Sequence, residues 1–514
     1  MLLKNVIIRS RYLDSVLLMQ ISARASRFAG VISTSCMMGT PNNLAILREA
    51  GLLAEAGTGA SPNDVVVAVK AEDEAALSGA LKEIEGMLSS LESRQKADEG
   101  YRPRTLHSAA DMLNGANLAI ISIPGPYVKD EALKAISLGC HLMIFSDNVP
   151  LEQERLIKER ARERNLLVMG PDCGTAIIQN IALCFANKVR RGSVGIVGAA
   201  GTGIQEATCI LSRVGAGISH AIGTGGRDLS SAIGGITTLM GLDILEKDPA
   251  TSVILIISKP PSPDVEEKIL ERASRLTKPV VINFLRGNPD KARFRKLAVA
   301  ETLEEGALLA ADLAGVKNSA DLIPGEDLLE RVLAEKARIS SGQKFLRGLY
   351  SGGTLCDETQ ILLSKSLGDV YSNVPLKPSL KLPDSKKSLG NCVIDLGDDE
   401  FTVGVPHPMI DYTLRCERIL KEAQDPEVAL ILLDVVLGYG VHPNPAEPLA
   451  GAVEKARELA RGRHLVFLAA LCGLDEDPQD FRRQKEILEE AGVLVAFTNA
   501  SAARCASAFM ETIR

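Results

Sequence analysis

Two glycine-rich turns are the residues of this sequence best suited to hold an anion. In SVGIVGAAGTG (Ser193–Gly203) an apolar run passes through small residues, and a helical pattern then begins. Small side chains at Ala200, Gly201, Thr202 and Gly203 let backbone N–H groups and the positive end of a helix dipole face a phosphate. Ser351, Gly352, Gly353 and Thr354 form a second turn of this kind. The other reading of each turn is steric, a tight strand-to-helix connection that only glycine fits. On these residues alone both readings stand. No GxxxxGK[ST] occurs and no GxSxG occurs, which excludes a P-loop of the usual form and a nucleophile elbow.

Single residues add candidates, each with a plainer alternative. Glu206 lies one turn into the helix after the first glycine turn, where a carboxylate also satisfies the dipole. Asp228 would hold a substrate amide N–H or cap the next helix. Beside it, Gly226 and Arg227 join the phosphate-binding candidates, since a guanidinium clamps a carboxylate or phosphate with two hydrogen bonds unless it is merely solvated. His407, held between prolines in VPHPM, is a positioned acid, base or oxyanion donor, or an ordinary loop histidine. Cys173 would be a nucleophile only beside a base, and none adjoins it in GPDC.

These residues need a scaffold of strands and helices. The chain is expected to be α/β, with a small N-terminal α/β domain over 1–100 and a Rossmann-like domain over 104–190. Two flavodoxin-like domains with parallel sheets follow, over 191–320 and 342–514. Apolar runs such as Leu118–Ile123, Val253–Ile257 and Val280–Phe284 read as strands buried on both faces. Polar residues from Glu92 to Pro103, and later Pro324-Gly325, mark connections. The last two domains look like a duplication, because each has a turn ending in Gly-Thr, then an Asp-Pro step (Asp248-Pro249, Asp425-Pro426), then a buried strand.

Composition removes other classes. Hydrophobic residues at 46% and charged residues at 24% are globular values. A net charge of -7 without a basic block argues against nucleic acid. No apolar run approaches the roughly 20 residues that span a bilayer, and the first residues lack a signal-peptide pattern, so the cytoplasm is expected. Ten cysteines without a CxxC and six histidines without an HExxH give no metal site.

GPDC (Gly170–Cys173), GAAGTGIQEA, GGRD (Gly225–Asp228) and LEKDPATSVILIIS together resemble the α-subunit of succinyl-CoA synthetase. SGGT, IDLGDD (Ile394–Asp399) and DPEVALILLDVVLGYG resemble the CoA-ligase part of its β-subunit. The fused order, with MMGTPNN, FSDNVPLE, MGPDCGTA, SKPP and VGVPHPMID, is similar to the FdrA proteins over nearly the whole chain. The synthetase resemblance implies that the helices starting at Gly201 and Gly353 aim their N-termini at one phosphate, and that Glu206 matches a glutamate touching a phosphohistidine. That histidine belongs in Asn288–Gly306, and the stretch has none. The FdrA resemblance implies a subunit of oxamate carbamoyltransferase, which interconverts oxalurate plus phosphate with oxamate plus carbamoyl phosphate in purine degradation. Its expected partners are two other subunits or further copies of itself, with a small anionic substrate and phosphate or carbamoyl phosphate as ligand. A CoA-binding acyl-CoA synthetase and a scaffold without chemistry are the alternatives. CoA is then the cofactor in question, PGPYVKDEAL (Pro124–Leu133) resembles the synthetase segment beside it, and the resemblance implies that the Rossmann-like domain over 104–190 is of the CoA-binding type.

Overall fold

The computed structural model describes residues 2–11, 13, 15–26, 28–96, 103–323, 327–402 and 405–513. They form two units, Met1–Arg102 with Gly397–Asp411, and Pro103–Leu396 with Tyr412–Arg514. Residues 97–102 of the connection expected at Glu92–Pro103, and Pro324-Gly325, lie outside the described residues, while helix Glu74–Lys96 runs into that stretch.

In the first unit, β1 (Leu2–Ile8), β2 (Val31–Met38) and β3 (Val65–Ala71) pair antiparallel in the order β1-β3-β2. The central strand VVVAVKA is buried on both faces. Val65, Val67 and Val69 pack toward helices Ser15–Ala25 and Glu74–Lys96, while Val66 and Ala68 pack with Leu47 and Leu52. This is the period of two that a strand imposes.

The second unit opens with a small parallel sheet of β4 (Leu118–Ile121), β5 (His141–Ile144) and β6 (Val168–Met169). A hairpin of β7 (Thr175–Ile178) and β8 (Ile181–Cys184) then leaves it for the next sheet, so that sheet reaches back ahead of residue 191. The hairpin pairs with β10 because Ala221 and Ile177 meet in antiparallel register.

Two larger sheets share one plan. The first contains β9 (Arg191–Gly198), β10 (Ile218–Gly223), β11 (Val253–Ser258), β12 (Val280–Phe284) and β13 (Ala298–Val299), in the order β13-β12-β11-β9-β10 before the hairpin. The second contains β14 (Phe345–Tyr350), β15 (Val370–Tyr371), β16 (Asn391–Asp395), β17 (Val428–Val436), β18 (Val466–Cys472) and β19 (Leu494–Ala496), in the order β15-β16-β14-β17-β18-β19. In each, the opening strand lies between a strand on one side and the later strands on the other, a flavodoxin-like arrangement. Ligands of such sheets bind where the order reverses, at the carboxyl ends of the strands. The strands after the two Asp-Pro steps, VILIIS and VALILLDVV, are wholly buried, as expected of parallel strands covered on both faces.

Helix Gly201–Arg213 follows β9 and helix Gly353–Leu367 follows β14, so both glycine turns stand at a reversal point. The first helix is buried from Thr202 to Leu211 and the second from Thr354 to Gln360, which leaves neither start with a solvent face. Among the described residues no helix is long and apolar enough to cross a membrane.

Candidate anion site at paired glycine turns

The two turns touch. A Cβ placed on Gly203 would lie 2.8 Å from Thr354 Cγ2, and one on Gly352 would lie 2.7 Å from Thr202 Oγ1. Each threonine therefore packs on a glycine of the other turn, and the steric reading holds at Gly203 and Gly352. At Gly353 the neighbour is Asp395 Oδ2, 2.6 Å from the same construction. Gly201 is different, because its nearest neighbour, Thr175 Oγ1, is 3.5 Å away, an ordinary contact. No side chain caps either helix. The N–H groups of a helix's first turn have no intrahelical acceptor, and Thr202 Oγ1 is buried without a partner. The junction thus offers uncommitted donors at Gly201, Thr202 and Gly203.

Part of the second turn is already used. The carboxylate of Asp434, fully buried in β17, accepts the N–H groups of Ser351 at 2.8 Å and Gly352 at 2.9 Å and the Ser351 hydroxyl at 3.0 Å. Arg415, equally buried, bonds Asp434 Oδ1 at 2.9 Å. Ser351 and Gly352 are consequently fixed by the protein itself, which leaves Gly353 and Thr354 as the free end.

Cations arrive from the first sheet. Gly198 pairs with Ile257, and the Ala199 N–H bonds the Ile257 carbonyl at 3.1 Å, so the strand end carrying Lys259 adjoins the first turn. Lys259 meets the buried carboxylate of Asp357, one turn into the second helix, at 2.9 Å. Arg286, from the end of β12, forms an ion pair with the same carboxylate. Two cations thus meet the acids at this junction, Asp357 and, at the second turn, Asp395.

The acid expected at Glu206 has a different setting. Its Oε1 accepts the N–H of Asn499 at 2.7 Å, and burial raises its pKa. Glu358, at the matching place in the second helix, accepts from the Asn499 side chain at 2.8 Å and the Leu303 N–H at 2.6 Å. Burial, opposed by that amide bond and reinforced by the nearby Glu206, pushes Glu358 up to about 8. Leu303 lies in the stretch that lacks a histidine, so a backbone N–H there donates to this carboxylate pair. Glu206 is a buried carboxylate held by the Asn499 backbone rather than an exposed acid.

Asp228 is also structural in its contacts. Fully buried, it accepts the N–H groups of Thr237 and Thr238 at 3.0 Å, capping helix Ile236–Lys247, and pairs with buried Lys158 at 2.8 Å. The capping reading therefore displaces the substrate-holding one. Arg227 meets Glu154 at 2.9 Å and donates to the Val149 carbonyl at 2.7 Å, while Gly226 is exposed with nothing near a constructed Cβ. His407 belongs to the first unit, where its Nδ1 accepts the Met409 N–H at 3.2 Å. Cys173 is buried, its thiol donates to the Thr175 carbonyl at 3.4 Å and burial raises its pKa, which favours a structural thiol. Sequence reading missed Lys259, Arg286, Asp357 and Asp434. A lone acid inside the apolar strand VALILLDVV was the available signal for the last.

A protein of Escherichia coli (strain K12) described as "Uncharacterized protein YahF" is 42% identical over 514 residues, 99% of this chain and 99% of its own length. The chain belongs to the family of YahF. Within it, residues 1–103 match "AllF, heavy metal-associated domain", 189–285 match "CoA binding domain" and 349–509 match "CoA-ligase". These matches make it a member of the succinyl-CoA synthetase-like superfamily. The succinate–CoA ligase [ADP-forming] subunit alpha of Aquifex aeolicus is 28% identical over 172 residues, covering 32% of this chain and 55% of that subunit. A solved dinucleotide-forming acetyl-coenzyme A synthetase of Ca. Korarchaeum cryptofilum aligns at 17% identity and TM-score 0.29, over 77% of this chain and 83% of that one. The CoA binding match contains the first glycine turn and the CoA-ligase match contains the second. Among the described residues no group of three His, Cys, Asp or Glu side chains is placed to hold a metal, the heavy metal-associated segment included.

Proposed function

We propose that this chain is an acyl-CoA synthetase-like enzyme that passes an acyl group between phosphate and a thiol at the paired glycine turns, without a phosphohistidine of its own. The observation that carries this reading is the contact of Thr202 with Gly352 and of Thr354 with Gly203, which ends two helices in one place. The CoA binding and CoA-ligase matches each contribute one turn, and this supports CoA as cofactor. The residues fit a phosphate-bearing group, because Thr202 Oγ1 is a buried hydroxyl without a partner and the first helix is uncapped. Bound CoA would supply the thiol that accepts the acyl group.

The chain's own part is electrostatic. The N–H groups of Gly201 to Gly203 and the Thr202 hydroxyl hold a phosphoryl or carbonyl oxygen as it gains charge. Each helix N-terminus contributes about 0.3–2 kcal/mol, depending on burial. Lys259 and Arg286 offset Asp357 and Asp395, so that the helix ends are not neutralised by the chain's own acids.

The FdrA resemblance supplies a second reading, favoured by the absence of histidine from residues 288–306. Carbamoyl transfer between oxalurate and phosphate, carried out with two partner proteins, forms an acyl phosphate and needs no phosphohistidine. Calorimetric titration of CoA and of phosphate into the purified chain and into Thr202→Val decides, together with an assay of carbamoyl phosphate formation from oxalurate with and without the partners. The first reading expects CoA binding that phosphate weakens and that Thr202→Val reduces about tenfold, the loss of one charge-assisted hydrogen bond. Carbamoyl phosphate formation without CoA binding would establish the second reading instead. Neither result would leave a scaffold.

A further inference from the structure

Two cysteines meet where the large sheets join. Cys209 lies in helix Gly201–Arg213, which starts at the first glycine turn, and Cys472 ends β18 of the other sheet. They are 263 residues apart in the chain, yet their sulfur atoms are 3.9 Å apart. Each residue is only 1% exposed. A disulfide needs about 2 Å between its sulfurs, so each side chain has about 1 Å to move.

The surroundings hold the two groups that favour thiol oxidation, a proton acceptor and a cation. Glu206, one turn before Cys209, accepts hydrogen bonds from the Cys472 thiol and from the Asn499 N–H, the latter at 2.7 Å. Arg213, one turn after Cys209, donates to the carbonyl of Gly473, next to Cys472, and to the Phe497 carbonyl at 2.7 Å. Contact with Cys209 and burial hold the Cys472 thiol well above the usual thiol range, and burial raises Cys209. Both thiols therefore stay protonated while the sheets are in contact, and only an opening of the junction admits an oxidant.

We propose that Cys209 and Cys472 form a reversible disulfide that clamps helix Gly201–Arg213 to β18 and so fixes the paired glycine turns against each other. The oxidant is a peroxide. Glu206 takes the Cys472 proton, the thiolate attacks one peroxide oxygen, and the O–O bond breaks. Cys472 becomes a sulfenic acid, and the displaced hydroxide takes the proton from Glu206 and leaves as water. The Cys209 sulfur then attacks the Cys472 sulfur, the S–O bond breaks, and the hydroxyl leaves as a second water with the Cys209 proton. The two thiols lose two electrons, and one peroxide is reduced to two waters. Exchange with a small dithiol reverses the link. The inference holds whichever group the turns transfer.

The unsubstituted chain is exposed to hydrogen peroxide under native conditions, its remaining thiols are blocked with N-ethylmaleimide, and its tryptic fragments are weighed. Gly192–Arg213 and His464–Arg482, each with one cysteine, should appear joined and two hydrogens lighter than their sum, and dithiothreitol should separate them. The linked chain should melt several degrees above the reduced chain, because the link closes a loop of 263 residues. Amide hydrogen exchange over residues 201–213 should slow several-fold on linking and recover with dithiothreitol. Glu206→Gln should form the link about a hundredfold more slowly, the loss of a proton acceptor. Cys209→Ala should lose both the link and the rise in melting temperature; if that variant fails to fold, the linked and reduced forms of the unsubstituted chain still decide. Absence of the joined fragments, equal melting of linked and reduced chains, unchanged amide exchange, or an unaltered rate in Glu206→Gln would overturn the proposal.

Discussion

Thr202 and Gly352 meet so closely that a Cβ on Gly352 would stand 2.7 Å from Thr202 Oγ1 and 2.9 Å from Thr202 Cβ. Neither atom is the end of a long flexible side chain, so alanine at 352 must part the turns. Gly352→Ala is expected to destabilise the chain by about 1–3 kcal/mol, as overpacking does. It should also weaken phosphate binding. Gly226→Ala, where a Cβ meets nothing within 4 Å, should stay within about 0.5 kcal/mol of the parent. Thermal denaturation and phosphate titration of both variants check this, and equal behaviour of the two would contradict the packing described.

Asp434 organises the second turn and neutralises Arg415, with both side chains wholly buried. Asp434→Ala should cost about 3–5 kcal/mol, because it strands a buried guanidinium. Adding Arg415→Met should recover part of that loss. Urea denaturation of the two single variants and the double variant tests the coupling, and strict additivity would refute it.

Glu358 makes stability depend on pH. Its pKa rises from an ordinary 4.5 to about 8 in the folded chain, through burial and the neighbouring Glu206. Below 4.5 both folded and unfolded forms carry the proton, and its contribution is intact. As pH climbs toward 8 the unfolded chain releases its proton first, so stability falls, and the fall levels off above about 8. Glu206 shifts in the same direction. Glu358→Gln should flatten the decline of melting temperature across this window, and an unchanged pH profile would count against it.

Lys158 pairs with Asp228 at 2.8 Å and Glu154 at 3.0 Å, all three without solvent exposure. Lys158→Ala leaves the buried Asp228 without its cation and Glu154 with Arg227 alone, and should cost about 3–5 kcal/mol. The protein that remains folded should bind phosphate with unaltered affinity, since this cluster anchors helix Ile236–Lys247. A loss of phosphate affinity with stability intact would return Asp228 to the site.

The glycine turns were legible because their signal is local. A buried apolar run followed by GAAGTG or SGGT specifies a strand, a turn and a helix start within about ten residues, and the repeated Asp-Pro steps announced two sheets of one plan. Glu206 and Asp228 were legible as acids near helix starts but not as to their partners. Asn499 is 293 residues from Glu206 in the chain, and Lys158 is 70 from Asp228. No spacing pattern registers contacts of that kind.

By itself, the sequence determined the main buried strands and the helices that follow the glycine turns, since hydrophobic period and turn chemistry act over a few residues, but not the hairpin Thr175–Cys184 that joins the next sheet. It also determined that no histidine occupies residues 288–306. Only the tertiary structure decided that Thr202 lies on Gly352, that Lys259 and Arg286 share Asp357, and that Asn499 and Leu303 bond the carboxylates of Glu206 and Glu358. These relations arise where two sheets dock through their first helices. Which side chains meet at such a junction depends on close packing of surfaces distant in the chain, and on the need to pair every charge that the docking takes out of water.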